Sequence, residues 1–290
     1  MIKDTKIFNI GSQSGTQLND TKLSSMEFNI PNFIENNDDD NIICSYLSIK
    51  NCEIPHSFYL INESNNILCL SVLGVDTIYT LTQGNYNINN FMNALSALLG
   101  SNYSLSFNSI TYKITISNSV NFFVILYEKT TMNKFLGISN TENTSCILQS
   151  GVYSITSPYV VNFLPTQKIH LRSSNLKVDS YNNYDKSNDV FLSIQNSTLF
   201  GQGIYFNNNT NLKYLIDIKN LSTIDIRITD DKYRLLDLNN VNWYLTFEIE
   251  YFYKIIPEKN NLIKFLKNDI FIQNYLQSLE EIEELEEIEN

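Results

Sequence analysis

The sequence predicts an all-β protein, a sandwich or barrel, with short helical interruptions. Three observations predict it. More than ten short segments alternate apolar and polar residues with period two. The separators between them are Asn-, Gly- and Ser-rich turn segments such as 62–66, Gln83-Gly84-Asn85, Asn118-Ser119, Asn182-Asn183 and 207–209. Only two segments before Pro257 carry a helical period, too few for a βαβ fold.

In chain order, residues 1–25 are polar, with a Gly/Ser/Gln-rich stretch at 11–17, and are expected to form a flexible N-terminal arm. A β domain is expected over 26–256, with an insertion around 83–137. Strands are expected at 42–49, 57–61, 67–73 and 75–81. Residues 103–107 and 110–116 alternate strictly, and 120–127 is nearly continuous in apolar side chains. Later strands are expected at 159–164, 169–172, 190–194, 212–218, 224–228 and 243–253. Residues 87–99 place Ile88, Phe91, Met92, Leu95 and Leu98/Leu99 on one face of a helix that stops at Gly100. Residues 131–136 read as a single helical turn ahead of Gly137. The expected core includes Phe107, Ile114, Ile116, Phe123, Ile194, Ile226, Ile228, Trp243, Leu245 and Phe247. After Pro257 apolar residues recur every three or four positions, which predicts an appended C-terminal helix or tail over 257–290. Its acidic end, 280–289, lacks any lysine or arginine at i,i+4 to relieve repulsion.

Composition narrows the function. Hydrophobic residues make up 43% of the 290, enough for a sizeable core, while charged residues make up only 18%. Asparagine, at 42 residues, fills the polar positions instead. The net charge is −11, but seven glutamates lie within the last eleven residues; the other 279 carry 20 basic and 24 acidic side chains. No basic stripe is visible, so direct nucleic-acid contact is not expected. No apolar run approaches the roughly 18–20 residues of a membrane span, and the first residues, Met1-Ile2-Lys3-Asp4, lack the apolar stretch of a signal peptide.

The residues that carry chemistry are sparse. Cys44, Cys52, Cys69 and Cys146 show no C-x-x-C spacing and sit in apolar contexts, as buried free thiols of a reducing compartment do. His56 and His170 are the two histidines, isolated and expected to be structural or exposed. Asp38-Asp39-Asp40 lacks the spaced ligands and glycine of a calcium loop. Asp230-Asp231 and Gly201-Gln202-Gly203 read as turns. The aromatic run at 243–251 reads as a core strand rather than a base-stacking platform, because Glu248 and Glu250 stand where lysine or arginine would be needed. No catalytic, cofactor-binding or metal-binding residue is assigned, and neither cofactor nor enzymatic activity is expected.

Three blocks resemble the vertex (penton, or minor capsid) proteins of virophages and Polinton-like viruses. The first is 49–62, Ile49-Lys50-Asn51-Cys52-Glu53-Ile54-Pro55-His56-Ser57-Phe58-Tyr59-Leu60-Ile61-Asn62. The second is Tyr79-Thr80-Leu81-Thr82-Gln83-Gly84-Asn85-Tyr86 with its helix, continuing to Lys134-Phe135-Leu136-Gly137-Ile138. The third is Ile224-Asp225-Ile226-Arg227-Ile228-Thr229-Asp230-Asp231 followed by Leu236-Asp237-Leu238-Asn239-Asn240-Val241-Asn242-Trp243. They span residues 42–253 in the family's order, and they are strand and turn signatures rather than catalytic ones. Lys232 and Asn240 depart from glycines of the family, so the tight turns there are expected to differ. The resemblance implies a single jelly-roll β-sandwich. It implies a homopentamer at the icosahedral fivefold vertices of a virion, beside hexameric capsomers of a double-jelly-roll major capsid protein. Alternatives are a receptor- or carbohydrate-binding sandwich of a viral spike head, and a glycan-cleaving β-sandwich enzyme with two converging carboxylates.

Overall fold

The computed structural model describes residues 2–19, 22–30, 42–176, 188–216 and 222–253. The expected tail at 257–290 and the cluster Asp38-Asp39-Asp40 lie outside the described residues.

The chain opens with β1 (Ile2–Gly11), β2 (Thr16–Gln17), β3 (Ser25–Asn29) and the long β4 (Ile42–Pro55). It then makes an excursion through β5 (Ile67–Val72), β6 (Val75–Thr80), helix α1 (Ile88–Leu99), β7 (Tyr103–Asn108), β8 (Lys113–Asn118), β9 (Phe123–Ile125), helix α2 (Asn133–Leu136), β10 (Thr144–Ser145), β11 (Ile147–Gln149) and β12 (Val152–Thr156). It returns through β13 (Lys168–Arg172), β14 (Val190–Gln195), β15 (Gly203–Asn207), β16 (Tyr214–Ile216), β17 (Thr223–Thr229) and β18 (Tyr244–Tyr253).

Outside the excursion, two antiparallel sheets form. One runs β1-β18-β4-β15, with β16 also on β4; the other runs β14-β13-β17-β3-β2. Let β1, β3, β4, β13, β14, β15/β16, β17 and β18 be strands one to eight. The first sheet then reads one–eight–three–six and the second five–four–seven–two, the winding of a jelly roll. The fold class is therefore all-β with a jelly-roll sandwich. Strand six is split: β15 pairs with 51–55 of β4 and β16 with 45–47.

Of residues 1–25, expected to be a flexible arm, Ile2–Gly11 are instead the first jelly-roll strand and Thr16–Gln17 a short strand paired with β3. Every residue from Ile2 to Gly11 pairs with β18. Phe8 and Ile10 pack on the core, and Phe8 stacks on Phe247 at 4.9 Å. The run Lys3-Asp4-Thr5-Lys6 hides this strand from a hydrophobicity reading, because it lies at a sheet edge with its polar side chains facing water.

The expected single core is two cores. Ile194, Ile226, Ile228, Trp243, Leu245 and Phe247 belong to the jelly-roll cluster. Ile114, Ile116 and Phe123 belong to a second cluster, which runs from Ile61 to Val161 and so extends well beyond 83–137; Phe107 packs against that cluster but is only half buried. The second unit has two four-stranded sheets of its own, β10-β9-β5-β6 and β11-β12-β8-β7. Helix α1 buries Phe91, Leu95 and Leu99; Asn87 caps it by accepting from the Asn90 N–H, and Gly100 ends it. Gly137 ends α2 in the left-handed region, and a Cβ there would collide with the Tyr159 carbonyl oxygen, so only glycine fits.

Several expected strands are not strands. Residues 57–61 and 159–164 run as irregular connections between the two units. Ile110 and Tyr112 sit in the β7–β8 turn, Tyr112 at positive φ, and Ile110 is exposed; the alternation over 110–116 continues through the turn only by chance. At the two departures from the family's glycines, Asn239 and Asn240 both adopt positive φ, whereas at the first it is Tyr233, not Lys232, that does.

Candidate functional site

The candidate residues fall in separate places. His56 is buried, its Nδ1 lies 3.0 Å from the Thr198 carbonyl, and burial lowers its pKa. His170 lies on the outer face of the second jelly-roll sheet with its Nδ1 2.7 Å from Ser193 Oγ. All four thiols are free; Cys52, Cys69 and Cys146 are buried and Cys44 is half buried. Among the described residues no group of three or more His, Cys, Asp or Glu side chains is placed to hold a metal ion. Among them, too, no helix is long and apolar enough to cross a membrane. In β18, Trp243 precedes the strand and points inward with Leu245, Phe247, Ile249 and Tyr251, while Glu248 and Glu250 take the opposite face. The Trp243 Nε1–H donates to the Leu23 carbonyl at 2.7 Å.

The outer sheet faces carry polar clusters that the linear sequence does not announce. Arg172 of β13 and Arg227 of β17 are directly opposite each other, a like-charge pair. Asp189 resolves it: one carboxylate oxygen accepts from Arg172 Nη1 at 2.7 Å, the other from Arg227 Nη2 at 3.0 Å and from the Tyr233 hydroxyl. The Tyr233 ring covers the Arg172 guanidinium at 4.2 Å, and Arg172 is fully buried. Asp225, next in the row, accepts from Ser173 Oγ and the Ser174 N–H. Among the described residues this network sets the two arginines against Asp189 and Asp225, with the Ser173, Ser174 and Tyr233 hydroxyls hydrogen-bonded to the same two carboxylates.

On the other sheet Glu250 of β18 is buried between two lysines. Lys3 of β1 donates at 2.7 Å and Lys213, just before β16, at 2.6 Å. These hydrogen bonds, Lys213's first, hold the Glu250 carboxyl down at about 2.

Where the two units meet, the turn after β17 faces α2. Asp230 accepts from the backbone N–H groups of Lys232 and Arg234 and pairs with the Arg234 guanidinium at 2.6 Å. Arg234 also donates to Ser64 Oγ, and Lys22 pairs with Glu63, so the junction is stitched by polar contacts. Beside it an open concavity of about 650 Å³ is lined by Lys134, Lys168, Lys232 and Arg234.

The excursion exposes apolar edges. Leu73, Val75 and Ile78 in and beside β6, and Ile147 and Leu148 of β11, are between 61% and 74% exposed. β10 and β11 are edge strands of the two sheets separated by one residue, while β6 and β7 form the other two edges. The apolar edges β6 and β11 therefore lie on opposite flanks of this unit.

No family model matches the sequence, and no curated protein matches it. Among solved structures, the chain is similar to the crystal structure of the mavirus penton protein, with a TM-score of 0.43 and 14% identity over 87% of this chain and all of that one. It is similar also to a chain of the Sputnik virophage structure at 3.5 Å by cryo-EM, with a TM-score of 0.38 and 13% identity over 87% of this chain and 98% of that one.

Proposed function

We propose that the chain is a structural virion protein, the subunit of a homopentameric capsomer at the fivefold vertices of an icosahedral capsid, flanked by hexameric capsomers of a major capsid protein. The observation that carries this reading is the placement of two apolar edge strands on opposite flanks of the inserted unit. Exposed apolar edges call for a partner. Two different edges on opposite sides suit a head-to-tail contact, the kind that closes a ring, whereas a twofold dimer uses one patch twice. The three vertex-protein blocks support the same reading. The chain acts by packing.

The test is the mass of the particle-incorporated or purified protein by native mass spectrometry. A ring of five is expected, and Val75→Asp with Leu148→Asp should leave folded monomer. A persistent trimer overturns the reading in favour of a spike head, and a variant that still forms rings removes the two edges from the interface.

A further inference from the structure

We propose that the lysine-lined concavity at the junction of the two units is the docking site for the Glu-rich segment 280–289 of this chain. The inference stands apart from the vertex reading. Five lysines elsewhere, Lys3, Lys22, Lys50, Lys129 and Lys213, each hold a carboxylate. The three that line the concavity, Lys134 of α2, Lys168 of β13 and Lys232 of the turn between β17 and β18, hold none among the described residues. Of the two carboxylates that line the concavity, Asp230 is committed to Arg234 and to backbone N–H groups. That leaves Asp231 alone against three ammonium groups. Burial first, and then Lys232 and Arg234, push the Lys134 ammonium below its ordinary pKa against the opposite pull of Asp231 and Asp230. This is a positive hollow on a chain of net charge −11.

The occupant follows from charge and reach. Residues 280–289 hold seven glutamates and no basic side chain, the densest anionic stretch of the sequence. β18 runs away from the junction, since Tyr244 pairs with Glu53 and Tyr253 with Ile42. Returning along its ten residues needs about 33 Å. The 26 residues between Tyr253 and Glu280 cover about 40 Å if helical and up to about 85 Å if extended. Either suffices to bring the glutamates back to their own junction.

The full-length protein tests this in two ways. Zero-length carbodiimide coupling followed by peptide mapping should join glutamates of 280–289 to Lys134, Lys168 or Lys232. Cleavage within that segment by a Glu-specific protease should be slow at low salt. It should become about tenfold faster at about 0.5 M NaCl, where exposed charges are screened. Lys134→Glu with Lys232→Glu should give the same acceleration at low salt, and Lys134→Arg with Lys232→Arg should keep the protection. Links spread evenly over Lys3, Lys50 and Lys129 overturn the proposal. So does a cleavage rate indifferent to salt and to charge reversal. An oligonucleotide that binds the full chain through these lysines while tail cleavage stays unchanged overturns it also, by naming a different occupant. The cross-links and the salt arm use the unmodified chain, so neither depends on the folding of a variant.

Discussion

Replacing Glu250 by glutamine removes the carboxylate that joins β1 to the segment before β16 across β18. The carboxyl sits at about 2 in the folded chain against an ordinary 4.5, which corresponds to about 3 kcal/mol at neutral pH. Lys3 is half exposed, so water and salt screen part of this, and about 2 kcal/mol is the expected loss. The sign is set by which state binds the proton first. As pH falls, the unfolded carboxyl protonates near 4.5 and the folded one only near 2. The stabilisation is thus complete above roughly pH 5, falls to under half by about pH 3 and vanishes below about pH 2. Urea midpoints of the native chain and Glu250→Gln, measured between pH 7 and pH 3, should converge accordingly. A gap that is constant with pH, or smaller than about 0.5 kcal/mol at pH 7, refutes the argument.

Three further outcomes are expected. Asp189→Asn strips the carboxylate from two facing arginines, one of them fully buried; it should cost about 3 kcal/mol in chemical denaturation. Gly137→Ala meets both a positive φ and the Tyr159 carbonyl, whereas Gly74→Ala meets only a positive φ in open space; the first should cost about 2–4 kcal/mol and the second about 1 kcal/mol. Trp243→Ala empties the centre of the jelly-roll core and forfeits the hydrogen bond to Leu23; a loss of about 3–5 kcal/mol is expected in the unfolding of that core.

Much of the fold was legible where burial on one face imposes a period. Helix α1 declared itself through the spacing of Phe91, Leu95 and Leu99 and its Gly100 stop, while the structure makes Asn87 its cap rather than its first residue. The inward side of β18 was readable from Trp243 to Tyr251, with Glu248 and Glu250 on the far side. The edges were the failure. β1 carries four polar residues in a row and turns inward only at Phe8 and Ile10, and β11 exposes all three of its side chains, so the period is too short in the first and missing in the second. Membership of one core or the other was equally hidden, because Ile116 and Ile226 have the same local pattern and are sorted only by long-range pairing. The polar clusters were invisible for the same reason. Arg172, Asp189, Arg227 and Tyr233 meet only when β13 lies against β17; the one local hint was the alternation Ile224-Asp225-Ile226-Arg227-Ile228, which puts Asp225 and Arg227 on a common face.

The place of β18 between β1 and β4 also sets an order of events during synthesis. The excursion is local: its strands pair with partners tens of residues away at most, so it can close while the rest of the chain is still being made. The jelly roll cannot. β18, which sits between β1 and β4, is the last of the described strands in sequence, and until it slides in β1 and β4 wait with unsatisfied edges, with thirty residues between them in sequence and without each other as partners. The pairings of the excursion are thus complete in sequence before the β18 pairings of the jelly roll can form. An open sheet offers its strand edges to other chains, and Lys3, Lys6 and Asn9 of β1 are placed to keep the waiting strand in solution.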